Sequence, residues 1–312
     1  MNDVAVPWRQ SVIARDRWKY DLTADLEFPR IIHIQTYTRC NAACVLCPYP
    51  DVEKNFPHGF MTMDLFAKIT DECASVDRNA EYEILPFLMN EPTLDPRLPE
   101  LIRVVRNRLP NAAISVYTNG SLRSRDRWAE IVECGTDTIV FSVSSADPEE
   151  YRTITGGLSF ETLSKNIDVV AELSGAGGRA RPEVIVHILR MGKDTQQLVD
   201  LMRYWKDRGI HSRTAYVENR GGNLELGSET KRKNFLAPGK CWRVLSQIHI
   251  VENGDVILCC GDWRREVVLG NLRSSTIRNV WSGGAYRRIR EGHRQGNLDH
   301  LPGICRACNM VT

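Results

Sequence analysis

Apolar positions along this chain recur in two alternating rhythms. Short runs rich in β-branched residues, Ile31–Gln35, Glu83–Leu88, Ala113–Thr118, Thr138–Val143, Glu183–Leu189 and Arg213–Val217, read as strands. Between them apolar residues return every three or four positions. Phe66, Ile69, Cys73 and Val76 form one such stripe, and Leu163, Ile167 and Val170 another. A left-handed residue is favoured just past a helix end, and Gly135 after Ile131–Cys134 and Gly209 after Leu198–Arg208 stand at such points. Strands alternating with helices predict an α/β fold, a parallel sheet curved into a partial (β/α)6 TIM-like barrel. In such barrels the chemistry gathers at the C-terminal ends of the strands.

The rhythm changes after residue 217. The stretch Arg220-Gly221-Gly222-Asn223 through Lys231-Arg232-Lys233-Asn234 is polar and aperiodic, and reads as a linker into a smaller unit. Beyond it, Ile248 to Cys260 reads as a β-hairpin turning at Asn253-Gly254. The expected organisation is an N-terminal extension over 1–25, the barrel over 26–225, and a hairpin-plus-helix domain over 226–312. Ser174-Gly175-Ala176-Gly177-Gly178 follows a helix and precedes a strand, the reverse of a phosphate-binding turn, and reads as a connector.

Composition narrows the class. The 312 residues suffice for one large domain or two smaller ones, and 41 Lys plus Arg against 39 Asp plus Glu leave the charge near balance. Neither a nucleic acid nor a membrane surface is indicated as a partner. The N-terminus has no basic segment followed by an apolar one, and no apolar run approaches the ~20 residues a membrane helix needs. Ten cysteines without a secretory signal point to metal ligation in a reducing compartment, hence a cytoplasmic protein.

The cysteines carry the chemistry. Cys40, Cys44 and Cys47 follow the first strand with C-x3-C-x2-C spacing, three thiolates on one loop. A 4Fe–4S cluster ordinarily takes four Cys ligands, so three leave one iron open. This loop resembles that of the radical S-adenosylmethionine (SAM) superfamily. The resemblance implies that the open iron binds SAM, which is cleaved to a 5′-deoxyadenosyl radical, with a flavodoxin- or ferredoxin-type reductant as partner. Leu46 departs from the aromatic residue usual just before the last cysteine.

The same resemblance implies a SAM pocket. Glu91-Pro92 match the end of the family's Gly-Gly-Glu-Pro turn, with Met89 and Asn90 where glycines are usual. Asn90 and Glu91 are thereby candidates for holding the SAM amino group, and Asn119 in Thr118-Asn119-Gly120 matches the turn after the third strand. Ser142 matches a ribose-binding position, and Arg190 is a candidate partner for the SAM carboxylate.

A second set, Cys241, Cys259 (C-x12-G-x4-C with Gly254), Cys305 and Cys308, resembles the SPASM/twitch extension of this superfamily. With the chain ending at Thr312, the twitch form with one auxiliary 4Fe–4S cluster is expected. An all-cysteine structural zinc site would use the same residue types. Alternation along a strand puts Cys259 and Cys260 on opposite faces, so Cys260 is spare: a small buried hydrophobe or a hydrogen-atom donor. Cys73 and Cys134 read as core residues, Arg287-Arg288-Ile289-Arg290 as a solvated basic face, and His33, His187, His249 and His293 lack ligand spacing.

Only roughly 25 residues precede the first strand, too few for an added peptide-leader domain, which favours a small-molecule substrate. Short twitch enzymes resemble sugar epimerases and dehydrogenases of aminoglycoside or oligosaccharide pathways. The leading expectation is radical epimerisation of a carbinol carbon with Cys260 returning hydrogen. The alternative is a dehydrogenase that sends an electron to the auxiliary cluster. A non-catalytic, zinc-stabilised binding protein is the third reading.

Overall fold

Ile32 and Ile34 are fully buried while His33 between them is partly exposed, so β1 (Ile31–Ile34) gives one face to packed helices and the other to a concave interior. The same division runs through β2 (Glu83–Leu85), β3 (Ala113–Thr118), β4 (Thr138–Val143), β5 (Glu183–Leu189) and β6 (His211–Ala215), all parallel to their neighbours. Ile84, Ile114, Val116, Ile139, Phe141, Val186 and Ile188 enter one core with the flanking helices. The computed structural model describes residues 26–175, 182–191, 195–226 and 239–311. The expected N-terminal extension, residues 176–178 of the connector and residues 231–234 of the linker lie outside the described residues. Within them, the predicted α/β partial barrel is observed.

The C-terminal hairpin is present, formed by β7 (Gln247–Ile250) and β8 (Asp255–Ile257), with Gly254 in the turn at φ +91°. β9 (Val268–Asn271) adds a third antiparallel strand. Its attachment differs from the expected separate unit. β7 lies parallel to β1, with Ile31 opposite Gln247 and Ile34 opposite Ile250, giving one sheet of order β6-β5-β4-β3-β2-β1-β7-β8-β9. The physical reason is that an open β1 edge would leave a row of unpaired N–H and C=O groups, which β7 satisfies. Helix Met63–Asp77, capped by Thr62 accepting from the Leu65 N–H, reinforces the junction. Its Glu72 accepts from the N–H groups of Ile277 (2.7 Å) and Arg278 (2.9 Å) at the start of helix Ile277–Trp281, where a carboxylate is favoured.

Two expectations from the sequence are revised. The first part of the supposed linker, Arg220–Gly222, is a tight 3-10 turn packed on helix Gly303–Arg306 and the residues after it; a Cβ on Gly221 would stand 2.3 Å from Ile304. The basic helix Gly284–Gln295 exposes Arg287 and Arg288 but buries Arg290. Arg290 stacks on Trp281 (4.4 Å) and Tyr286 (5.0 Å) and donates to the Trp281 carbonyl at 2.6 Å. No helix among the described residues is long and apolar enough to cross a membrane.

Candidate functional site

The loop bearing Cys40, Cys44 and Cys47 leaves the C-terminal end of β1, where a parallel barrel opens. It is held from two sides. Helix Pro148–Thr155 offers the Thr155 and Ile154 carbonyls to the Ala43 (3.1 Å) and Val45 (2.9 Å) N–H groups. Gly156 follows at φ +69°, and a Cβ there would lie 2.5 Å from the Ala43 carbonyl oxygen, so only glycine fits. All three thiols are partly buried. Burial, then the Glu91 carboxylate, pushes Cys40 up to about 12, and burial with Cys47 does the same to Cys44. Ligation deprotonates these thiols, so metal uptake here releases protons.

Glu91 anchors the loop to the barrel. Its N–H donates to the Arg39 carbonyl at 2.9 Å. Its buried carboxylate accepts from Thr93 N–H (3.1 Å), Thr93 Oγ1 (2.7 Å), Thr118 Oγ1 (2.7 Å) and Asn119 N–H (2.7 Å). Glu91 therefore ties the turn after β2 to the end of β3 before it offers anything to a ligand. Asn119 Nδ2 donates to Asn41 Oδ1, and Asn41 Nδ2 donates to Ser121 Oγ, each at 2.9 Å, which stitches the cysteine loop to the β3 turn. The Asn90 carboxamide oxygen accepts from Leu88 N–H at 3.1 Å, while its buried Nδ2 has no partner in the protein. An unpaired buried donor at this turn fits a ligand oxygen.

Strand alternation and register align a polar tier on the concave face. Ser142, His187 and Arg213 lie opposite one another on β4, β5 and β6. Arg213 reaches over the intervening strands to donate to Tyr117 Oη on β3 at 2.5 Å and lies 5.5 Å from that ring. Ser142 is exposed in this concavity. Burial, then Arg213 and Arg220, pulls His187 down to about 4, so its imidazole is neutral at pH 7. Farther round, His33 and His249 stack with centroids 4.7 Å apart, and Phe87 stacks on Tyr117 at 5.0 Å. Arg190 is turned away from this tier. It donates to Thr214 Oγ1 (3.2 and 3.1 Å) and Tyr216 Oη (3.2 Å), on the face of β6 opposite to Arg213. A long side chain at the end of an edge strand takes the nearest acceptors, and those lie outside.

The second cysteine set meets across three separate segments. Burial raises the Cys305 thiol, and Cys241 and Cys308 raise it further. Burial and Cys260, and more distantly Cys305, raise Cys259. Thiols repel in this way only at close quarters, so the four expected ligands share one neighbourhood. The Gly261 N–H donates to Cys259 Sγ at 3.3 Å, a contact that steadies a thiolate. Although burial opposes its charge, Arg243 is pushed above its ordinary range by Cys260, Glu218 and Cys241, and it donates to Glu218 at 2.5 Å. Among the described residues no three His, Cys, Asp or Glu side chains converge on a site for a single metal ion. Both donor sets are instead all-sulfur, as iron–sulfur clusters require.

Sequence reasoning missed Arg213, Tyr117, Asn41 and Arg220 and passed over His187. The available signal was parity: His187 and Arg213 are polar residues set at inward positions of strands.

Comparison with known proteins agrees with these features. Residues 34–177 match the radical SAM superfamily, and residues 241–309 match the SPASM iron–sulfur cluster-binding domain. The S-adenosyl-L-methionine-dependent 2-deoxy-scyllo-inosamine dehydrogenase of Niallia circulans is 22% identical over 286 residues, 90% of this chain and 93% of that one. A cofactor-modifying protein for tungsten-containing aldehyde ferredoxin oxidoreductase, from Pyrococcus furiosus, is 25% identical over 182 residues, 58% of this chain and 49% of that protein. In fold, the crystal structure of BtrN in complex with AdoMet and 2-DOIA aligns with a TM-score of 0.60 at 18% identity, covering 92% of this chain and 94% of that one. SuiB of Streptococcus suis, bound to its precursor peptide SuiA, aligns with a TM-score of 0.63 at 13% identity over 99% of this chain and 76% of that one. The chain belongs to the radical SAM superfamily and carries a C-terminal SPASM domain that binds an auxiliary iron–sulfur cluster.

Proposed function

We propose that this protein is a radical SAM dehydrogenase that oxidises a secondary alcohol of a sugar- or cyclitol-like small molecule to a ketone. The observation that carries the reading is the end-to-end similarity to a dehydrogenase of that kind, extending through both cysteine sets. It replaces the epimerase as the leading reading. With its clusters and SAM bound, the site has a hydrogen-atom abstractor at one end and a one-electron acceptor at the other. Oxidation of a secondary alcohol to its ketone releases a hydrogen atom from carbon, a proton from oxygen and an electron, so the protein itself must receive the proton.

His187 suits that task. It is neutral, it lies on the concave face beside Ser142 and Arg213, and neither ring nitrogen is bonded to a described residue. Cys40, Cys44 and Cys47 hold the SAM-binding cluster in this reading, and Cys241, Cys259, Cys305 and Cys308 an auxiliary 4Fe–4S cluster. Asn90, Asn119 and Ser142 orient SAM, and Glu91 fixes the turn that does so. The patch of Tyr49, Val52, Leu88, Met89, Val251, Ile257 and Trp263 beside Cys40 and Cys47 excludes water from the reacting centre. A flavodoxin- or ferredoxin-type protein supplies the electron that starts each turnover.

The second reading, epimerisation, is favoured by Cys260, which packs on that same patch with Cys40 and Cys47. Anaerobic incubation of the reconstituted enzyme with SAM, a reductant and candidate polyols separates the two by mass. Loss of two hydrogens supports oxidation, and an isomer of unchanged mass would overturn it.

A further inference from the structure

The seam between the C-terminal ends of β5 and β6 and the SPASM unit carries an imbalance of charge. Four groups meet there. Arg213, Arg220 and Glu218 all act electrostatically on His187. Arg220 also acts on Cys47 in the first cluster loop, and Glu218 acts on Cys308 in the second set, so the group spans the interval between the two cysteine sites. A substrate that gives a hydrogen atom on one side and an electron on the other has to occupy this interval.

Arg243 is the one arginine here with a close carboxylate, Glu218 at 2.5 Å, and it also lies beside Cys241 and Cys260. Its charge is matched by that carboxylate and those sulfurs. The other two are not matched. Arg213 donates to the neutral Tyr117 hydroxyl, which orients its guanidinium without offsetting its charge, and no described carboxylate pairs with it. Arg220 approaches Glu218 only at 3.8 Å, beyond hydrogen-bonding distance, and its side chain makes no hydrogen bond to a described residue.

The backbone at Arg220 is strained as well. Its φ is +51°, unusual for a residue with a side chain, and Gly221 and Gly222 follow at +67° and +89°. The turn is wedged against Ile304 and Ala307, the residues next to Cys305 and Cys308. That wedge over-determines the turn and fixes where the Arg220 side chain leaves the backbone. A guanidinium fork matches a phosphate or carboxylate, and two of them turned into one concavity repel an ammonium.

We infer that this seam is a subsite for an acidic group, with Arg213 and Arg220 as its donors, and that the alcohol this enzyme oxidises bears a phosphate monoester or a carboxylate. The inference rests on the dehydrogenase reading for the word oxidises and on the charge distribution for the rest. It separates the substrate from an aminocyclitol, whose amine would meet uncompensated arginines.

The test is equilibrium binding to the anaerobic, cluster-loaded enzyme saturated with SAM. The probes are myo-inositol, myo-inositol 1-phosphate, glucuronate, 2-deoxy-scyllo-inosamine and inorganic phosphate. At least one acidic probe should bind about tenfold or more tightly than myo-inositol and the amine, as one charge-assisted contact predicts. Myo-inositol 1-phosphate leading marks a phosphate ester, and glucuronate leading marks a carboxylate. Arg213→Gln and Arg220→Gln should each remove about that factor, and Arg220→Lys should restore most of it, at unchanged iron content. Equal or tighter binding of the neutral or amine probe overturns the inference in the wild-type protein alone, whatever the variants do. Binding of inorganic phosphate as tightly as the polyol phosphate marks an adventitious ion only and overturns it too. No ketone is read in this experiment, so lost selectivity sinks the subsite with oxidation intact, and absent ketone elsewhere sinks oxidation with the subsite intact.

Discussion

Cys259 and Cys260 are neighbours in the chain and belong to different surroundings. Cys259 packs with Cys241 and Cys308 against the main core, whereas Cys260 packs with Cys40 and Cys47 on the apolar patch beside the first cluster loop. One peptide bond thus joins the auxiliary site to the wall of the reaction centre. Alternation along an extended segment produces this division, and it makes the two residues separately testable.

Replacing Cys260 by Ala should leave the iron content unchanged, whereas Cys259→Ala should lose about four irons per chain, one cluster's worth. Iron and sulfide assays after anaerobic reconstitution read both. On the dehydrogenase reading Cys260→Ala also retains ketone formation; if it instead converted an isomerising enzyme into a ketone-forming one, epimerisation would be the native reaction.

Gly156→Ala should damage the first cluster site and spare the second. The new methyl would press on the Ala43 carbonyl, and φ of +69° adds strain. The expected result is loss of the SAM-induced change in the paramagnetic resonance of the reduced protein, with the auxiliary signal kept. An unaltered response to SAM would refute this packing argument.

Glu91→Gln should destabilise the fold by about 1–3 kcal/mol, because an amide NH2 replaces an acceptor and leaves a buried donor such as the Asn119 N–H unpaired. The midpoint of chemical denaturation measures it. A variant as stable as the wild type would show that the Glu91 hydrogen bonds are dispensable for folding.

His187 predicts a pH effect of definite sign. Burial, with Arg213 and Arg220, holds its folded value at about 4, below the ordinary 6.5 of the unfolded chain. Its contribution to stability is therefore full above pH 6.5 and lost as pH falls towards 4, because the unfolded state binds the proton first. His187→Asn should flatten the fall in denaturation midpoint across that interval relative to the wild type. Identical profiles would mean that the imidazole is not held neutral by its surroundings.

Arg290→Met tests the buried basic residue. It removes a guanidinium stacked on Trp281 and Tyr286, and should cost about 2 kcal/mol while Arg287→Ala, on the exposed side of the same helix, costs almost nothing. Comparable losses from both would return the helix to the uniformly solvated face its sequence first implied.

Local pattern alone determined a good deal of this protein. β-branched runs and helical stripes gave the parallel barrel strand by strand, because burial of one face is written in the spacing of the residues that bury it. The cysteine spacing marked both cluster sites for the same reason, since ligands on one loop are neighbours in sequence. Asn253-Gly254 marked the hairpin turn. What only the tertiary structure decided involves partners far apart in the chain. β7 pairs with β1 across more than two hundred residues, Arg213 finds Tyr117, and Arg290 leaves the solvated face for Trp281. Arg190, plausible at its place in the sequence, turns outwards to Thr214 and Tyr216. A side chain's charge is legible in one letter, but whether a carboxylate, a hydroxyl or water answers it depends on which strands lie beside it, and that is settled only when the chain closes on itself.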